Sequence, residues 1–95
     1  MQKPNKYSVE LRPDEYDTLL RNPLIESACG DLLASPKKRS GYLVLRLTVE
    51  QLEEFTGFVA AEANHAQTRE EEDALGEVCE CLEGVLSDIR FRRNR

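Results

Sequence analysis

The chain reads as a single α+β domain in which two short strands pack on about four helical segments, in the order β-α-α-β-α-α with a C-terminal antiparallel helical hairpin. Three observations predict this. Two short stretches alternate apolar and polar residues, helix-capping signals follow at the expected spacings, and an apolar stripe of helical period runs from Leu75 to Ile89. Ninety-five residues, 40% of them hydrophobic, suffice for one compact core spanning 1–95, with 1–6 as a flexible N-terminus and 90–95 as a basic C-terminal tail.

The first strand is Tyr7 to Leu11, where Tyr7, Val9 and Leu11 should face inward. Pro13 suits the first turn of a helix, because its fixed φ is already helical and its missing N–H had no partner there. Asp14, Glu15 and Asp17 follow where the helix dipole favours acids, and Tyr16, Leu19 and Leu20 supply an apolar face. Asn22-Pro23 should interrupt or bend this helix. A second helical stretch from Pro23 is expected to turn Leu24, Ile25, Ala28, Leu32 and Leu33 inward. Ser35 to Gly41 has no apolar side chain longer than proline and reads as a loop.

Tyr42 to Leu47 resumes as a strand, with Leu43, Leu45 and Leu47 on one side. Thr48 and Gln51 form a capping box, the hydroxyl taking an orphan N–H and the amide reaching back to another. The helix that follows should bury Leu52, Phe55, Thr56, Val59 and Ala63. Thr68 and Glu71 repeat the signal and open the last helix, whose stripe is Leu75, Val78, Cys79, Leu82, Val85, Leu86 and Ile89. The two halves also resemble each other: Val9 to Asp17 matches Leu45 to Glu53 in pattern at an offset of 36 residues. Strand-to-helix junctions converge on such a pattern, and a duplication would produce it too.

No apolar run approaches the roughly 20 residues of a membrane span. The polar N-terminus lacks a secretory signal, and Cys29, Cys79 and Cys81 are an odd number, so a reducing, cytoplasmic location is expected. Cys79 and Cys81 lie two apart on a helix and point about 200° from each other, which is poor geometry for a shared metal. No metal or cofactor is expected. Catalytic chemistry has little to stand on either. His65 is the one histidine and sits where a helix end favours a capping role, and the five glycines are isolated rather than grouped in a phosphate loop.

Charge is the functional clue. Residues 1–48 carry a net +2, residues 49–89 a net −11 and residues 90–95 a net +4, for −5 in all. On the last helix Glu70, Asp73, Glu77, Glu80 and Asp88 fall within an arc of about 80° opposite the apolar stripe. Such a ridge either solvates an outer face or meets a basic surface. The expected function is a small acidic non-enzymatic binding or regulatory protein, an inhibitor that docks this ridge on a basic protein such as a toxin or a nucleic-acid-binding protein. An alternative is a self-associating accessory module, joined either by a strand edge or by Phe58, Ala61 and His65 beside the small residues of the middle helix. Direct nucleic-acid binding through a 37–39 loop and the 90–95 tail comes third, since the acidic half would repel the same phosphates.

Overall fold

A computed structural model describes residues 5–93 of the chain. Strand β1 (Lys6–Leu11) leads to helices α1 (Pro13–Arg21) and α2 (Pro23–Leu33). A hairpin of β2 (Lys37–Arg39) and β3 (Tyr42–Thr48) follows, then α3 (Val49–Asn64) and α4 (Arg69–Arg93). The strands form one antiparallel sheet in the order β1-β3-β2.

This corrects the sequence reading in three places. The sheet has three strands rather than two, because the 37–39 segment is an edge strand and not a loop. Lys37 pairs with Val44 and Arg39 with Tyr42. Ser40 and Gly41 close the hairpin with φ of 51° and 85°, the two positive angles that a two-residue turn needs to match strand twist. Lys6 belongs to β1 rather than to a flexible N-terminus, and residues 90–93 continue α4 rather than forming a tail. Residues 1–4 and 94–95 lie outside the described residues.

The core lies between the inner sheet face and the helices. Val9, Leu11, Leu45 and Leu47 meet Leu19, Ile25, Leu33, Leu52, Phe55, Val59, Leu75, Val78, Leu82, Leu86 and Ile89 in one cluster. The expected stripes of α3 and α4 are therefore the buried ones, with Ala63 and Val85 partly covered at their margins. The stripe of α2 is rotated from expectation. Ile25, Cys29 and Leu33 are buried, whereas Leu24 and Ala28 are exposed. Leu20 of α1 is exposed as well, and Glu15 takes a buried place instead.

The rotation follows from Asn22, which is buried and joins the two helices at their break. Its Oδ1 accepts from the backbone N–H groups of Leu24 and Ile25, both at 3.0 Å, and its Nδ2 donates to Glu62 Oε1 of α3 at 3.1 Å. The side chain thus satisfies two orphan donors of α2 and sets the helix's angle of entry. Tyr16 adds a second tie, its hydroxyl donating to the Leu33 carbonyl at the far end of α2.

Both sheet edges are guarded. β2 is three residues long and wholly charged, a composition that discourages strand addition. At β1 the Cys81 thiol of α4 donates to the Glu10 carbonyl at 3.8 Å, so a helix overhangs that edge. On the outer sheet face Lys6, Ser8, Glu10, Lys37, Arg39 and Arg46 are all exposed.

Candidate functional site

The acidic ridge stands on α4, and its geometry begins at Thr68. The Thr68 hydroxyl accepts from the Glu71 N–H at 3.1 Å and its carbonyl from the Glu72 N–H at 3.0 Å, which starts the helix where the sequence pattern placed it. Glu70, Glu71 and Glu72 occupy the first turn, the position the dipole favours. From there α4 runs unbroken for 25 residues, about 37 Å. Its apolar side is locked into the core, and cross-ties hold its flanks. Arg90 reaches Glu53 of α3 at 3.5 Å, and Arg12 at the start of α1 reaches Glu77 at 3.3 Å.

All five ridge carboxylates, Glu70, Asp73, Glu77, Glu80 and Asp88, are exposed on this one helix. Glu77 pairs with Arg12, and Asp88 with Arg92 at 3.9 Å, both in open solvent. Among the described residues, Glu70, Asp73 and Glu80 enter no ion pair with the chain's own cations. Arg12 is the hub of the cross-tie. Asp14 first, then Glu15, and Glu77 beside them hold its guanidinium more firmly protonated than usual.

Two features of the ridge are not in the sequence reading. A recess of about 480 Å³ opens between α3 and α4, where Ala63, Asn64 and Gly76 leave space among Glu72, Asp73, Glu77 and Glu80. Phe91 also falls within the acidic arc, one turn beyond Asp88, and is 65% exposed. Continuing the 3.6-residue period past Ile89 places it there, but the arginines around it suggest a tail. Gly84 lies in the same arc, and a Cβ added there would meet nothing within 4 Å. Packing does not demand a glycine at that position.

The residues considered for self-association differ in exposure. Phe58 is partly buried against the core, which corrects its expected outward projection. Ala61 and His65 are exposed, but they bind each other. His65 caps α3 with its Nδ1 2.8 Å from the Ala61 carbonyl, and its backbone N–H donates to Ala61 and Glu62.

The three thiols are free, Cys29 and Cys79 buried and Cys81 half-buried. Burial pushes Cys29, Cys79 and Cys81 above their ordinary value, and nearby glutamates add to it: Glu54 at Cys29, Glu83 at Cys79 and Glu15 at Cys81. Cys79 also donates to Glu83 at 3.7 Å. No group of three His, Cys, Asp or Glu residues is arranged to hold a metal ion among the described residues. Nor is any helix among them long and apolar enough to cross a membrane.

A second concavity, of about 730 Å³, lies between α1 and the β2–β3 hairpin. Tyr16, Tyr42 and Leu43 line it, with Asp14 and Asp17 on one wall and Lys38 and Arg39 on the other. Comparison with protein-family models, curated proteins and solved structures finds no match to the chain.

Proposed function

We propose that this chain is a non-enzymatic binding protein that presents the α4 ridge to a basic protein, in the manner of an inhibitor or regulator of a toxin or nucleic-acid-binding protein. The observation that supports this reading is that Glu70, Asp73 and Glu80 project from one continuous helix and, among the described residues, pair with no cation. Carboxylates spaced along a helix resemble a phosphate backbone in sign and regularity. Their summed potential steers a positively charged partner into encounter and rejects acidic ones. The recess beside Gly76 admits a long cationic side chain between carboxylates, which is the chemistry a lysine or arginine of the partner would use. Three free thiols, two of them buried, fit a reducing compartment, and we place the protein in the cytoplasm on that ground.

The test is a triple variant, Glu70→Lys, Asp73→Lys and Glu80→Lys, which leaves the Arg12–Glu77 tie intact. Affinity capture from native lysate with wild type and variant, followed by mass spectrometry, should recover a basic protein with wild type alone. Salt should elute it. Circular dichroism should show unchanged helicity in the variant. Equal recovery by both proteins overturns the assignment of this surface.

A further inference from the structure

We propose that the open face of the sheet binds single-stranded nucleic acid, with Lys6, Arg46, Lys37 and Arg39 as a diagonal track for phosphates and Tyr42 as a stacking surface for a base. The pairing registers place these residues. Side chains of one parity share the outer face: Lys6, Ser8 and Glu10 of β1, Tyr42, Val44, Arg46 and Thr48 of β3, Lys37 and Arg39 of β2. Lys6 lies opposite Thr48, Arg46 opposite Ser8, Lys37 opposite Val44 and Arg39 opposite Tyr42. Read along the sheet, each row holds one cation, and successive rows stand about 7 Å apart. The four cations therefore cross all three strands in a line of about 20 Å. The Arg46 guanidinium lies 3.5 Å from the Lys6 carbonyl, which directs it toward the Lys6 end of this line.

Each of the four is exposed, and among the described residues none is in an ion pair. Among the described strand residues Glu10 is the one acid of this face, while Asp31 of α2 borders Lys6, Lys37 and Arg46 at the sheet's margin, and Asp14 and Asp17 of α1 border Arg39 and Tyr42. The face also lacks what a protein partner would want at its centre, namely an exposed apolar cluster. Val44, its single aliphatic residue, is 7% exposed between Glu10 and Lys37, while Tyr42 at the end of the track is 42% exposed. A cationic groove or face with an aromatic platform is the pattern that holds single strands, since every base has a π-face and every nucleotide a phosphate. The acidic ridge does not forbid it. The ridge lies on the side of α4 opposite its apolar stripe, the open face on the side of the sheet opposite the core, and potentials are screened beyond about 8 Å at physiological salt. This proposal does not rest on the ridge, and neither surface needs the other.

The experiment is fluorescence anisotropy of a labelled oligo-deoxythymidine dodecamer against the whole chain at low salt, repeated as salt is raised. Four phosphate contacts predict a log–log salt slope of about −3. Arg46→Glu should weaken binding about tenfold or more and make the slope shallower. Lys38→Glu makes the same change of charge on the opposite face of β2 and should stay within about threefold of wild type. Tyr42→Ala should weaken binding about tenfold, and Tyr42→Phe should restore it. Lys37→Gln repeats the test at the sheet edge, where misfolding is least expected, and circular dichroism checks every variant. Absence of salt-sensitive binding overturns the proposal. So does equal loss with Lys38→Glu and Arg46→Glu, which would show attraction to net charge alone. Equal competition by poly-glutamate with no effect of Tyr42→Ala also overturns it, in favour of an acidic protein as the occupant.

Discussion

The two strand-to-helix junctions, β1 into α1 and β3 into α3, lie at opposite ends of one antiparallel strand pair and meet the same backbone problem with different chemistry. A fully buried leucine, Leu11 or Leu47, stands just before each cap residue, and each helix leaves its first N–H groups without intrahelical partners. In both, the residue three beyond the cap reaches back. Glu15 Oε1 accepts from the Arg12 N–H at 2.9 Å, and Gln51 Oε1 accepts from the Thr48 N–H at 3.0 Å. These are the positions that the 36-residue similarity aligns. The other half differs. The Thr48 hydroxyl accepts from the Gln51 N–H at 3.1 Å, whereas Arg12 has no acceptor to offer and Pro13 removes one of the donors instead. At the first junction the reaching group is a charged carboxylate, 8% exposed, with the Arg12 guanidinium 3.5 Å away. A neutral cap closes on itself, while a charged one recruits an arginine, and that arginine then reaches α4. Capping geometry is thus common to both halves, and only one half gains a tie across the fold.

The largest test of this comparison is at the leucines, where the junctions should behave alike. Leu11→Ala and Leu47→Ala should each cost about 2–5 kcal/mol, read from urea denaturation, since both remove a fully buried side chain. A difference of more than a factor of two between them would mean that one junction relaxes around the cavity. The caps come next and should separate the two. Thr48→Ala and Gln51→Ala should each cost about 1 kcal/mol. Glu15→Ala should cost about 1–2 kcal/mol, but Glu15→Gln less than about 1, because an amide oxygen still accepts from the Arg12 N–H. If Glu15→Gln proves as costly as Glu15→Ala, the carboxylate's charge rather than its cap bond holds the first junction.

The smallest effect reports on charge alone. Burial, then Glu15, raises the Cys81 thiol above its ordinary 9.0, and Arg12 pulls it partly back. Alkylation at pH 8, followed by mass spectrometry, should therefore be slower at Cys81 than in a free thiol, faster in Glu15→Gln and slower still in Arg12→Ala. The stability consequence has a definite sign. The unfolded thiol ionises first, so the stability contributed by a raised thiol is intact below pH 9.0 and falls as pH rises toward the folded value. A rate at Cys81 that ignores both substitutions would place the thiol outside the reach of this junction.

Much of this architecture is legible from residue order because periodicity and caps are local. The stripes of α3 and α4, the break at Asn22-Pro23, the Thr48–Gln51 box and the exposure of the ridge all follow from spacings within a few residues. The third strand did not announce itself, since Lys37-Lys38-Arg39 has no alternation. Its signal was the Ser40-Gly41 pair in front of an alternating strand, a turn dipeptide rather than a pattern of hydropathy. The face that α2 buries is not legible locally, since the Asn22 cap that opens the helix is also bonded to Glu62 of α3, forty residues away. The Arg12–Glu77 tie and the diagonal of cations are invisible for the same reason, since each exists only once distant segments are paired.

Strand β3 sits in the middle of the sheet, yet it is the last of the three to be made. Until Tyr42–Thr48 has left the ribosome, Val9 and Leu11 have no ladder to join, and their covering helix α4 comes later still. Synthesis therefore exposes an apolar strand that only a distant segment can sequester, while the α3–α4 pair assembles between neighbours in the chain. A nascent chain arrested after α2 should be a substrate for holding chaperones, and release should come only once the central strand and its helices have emerged.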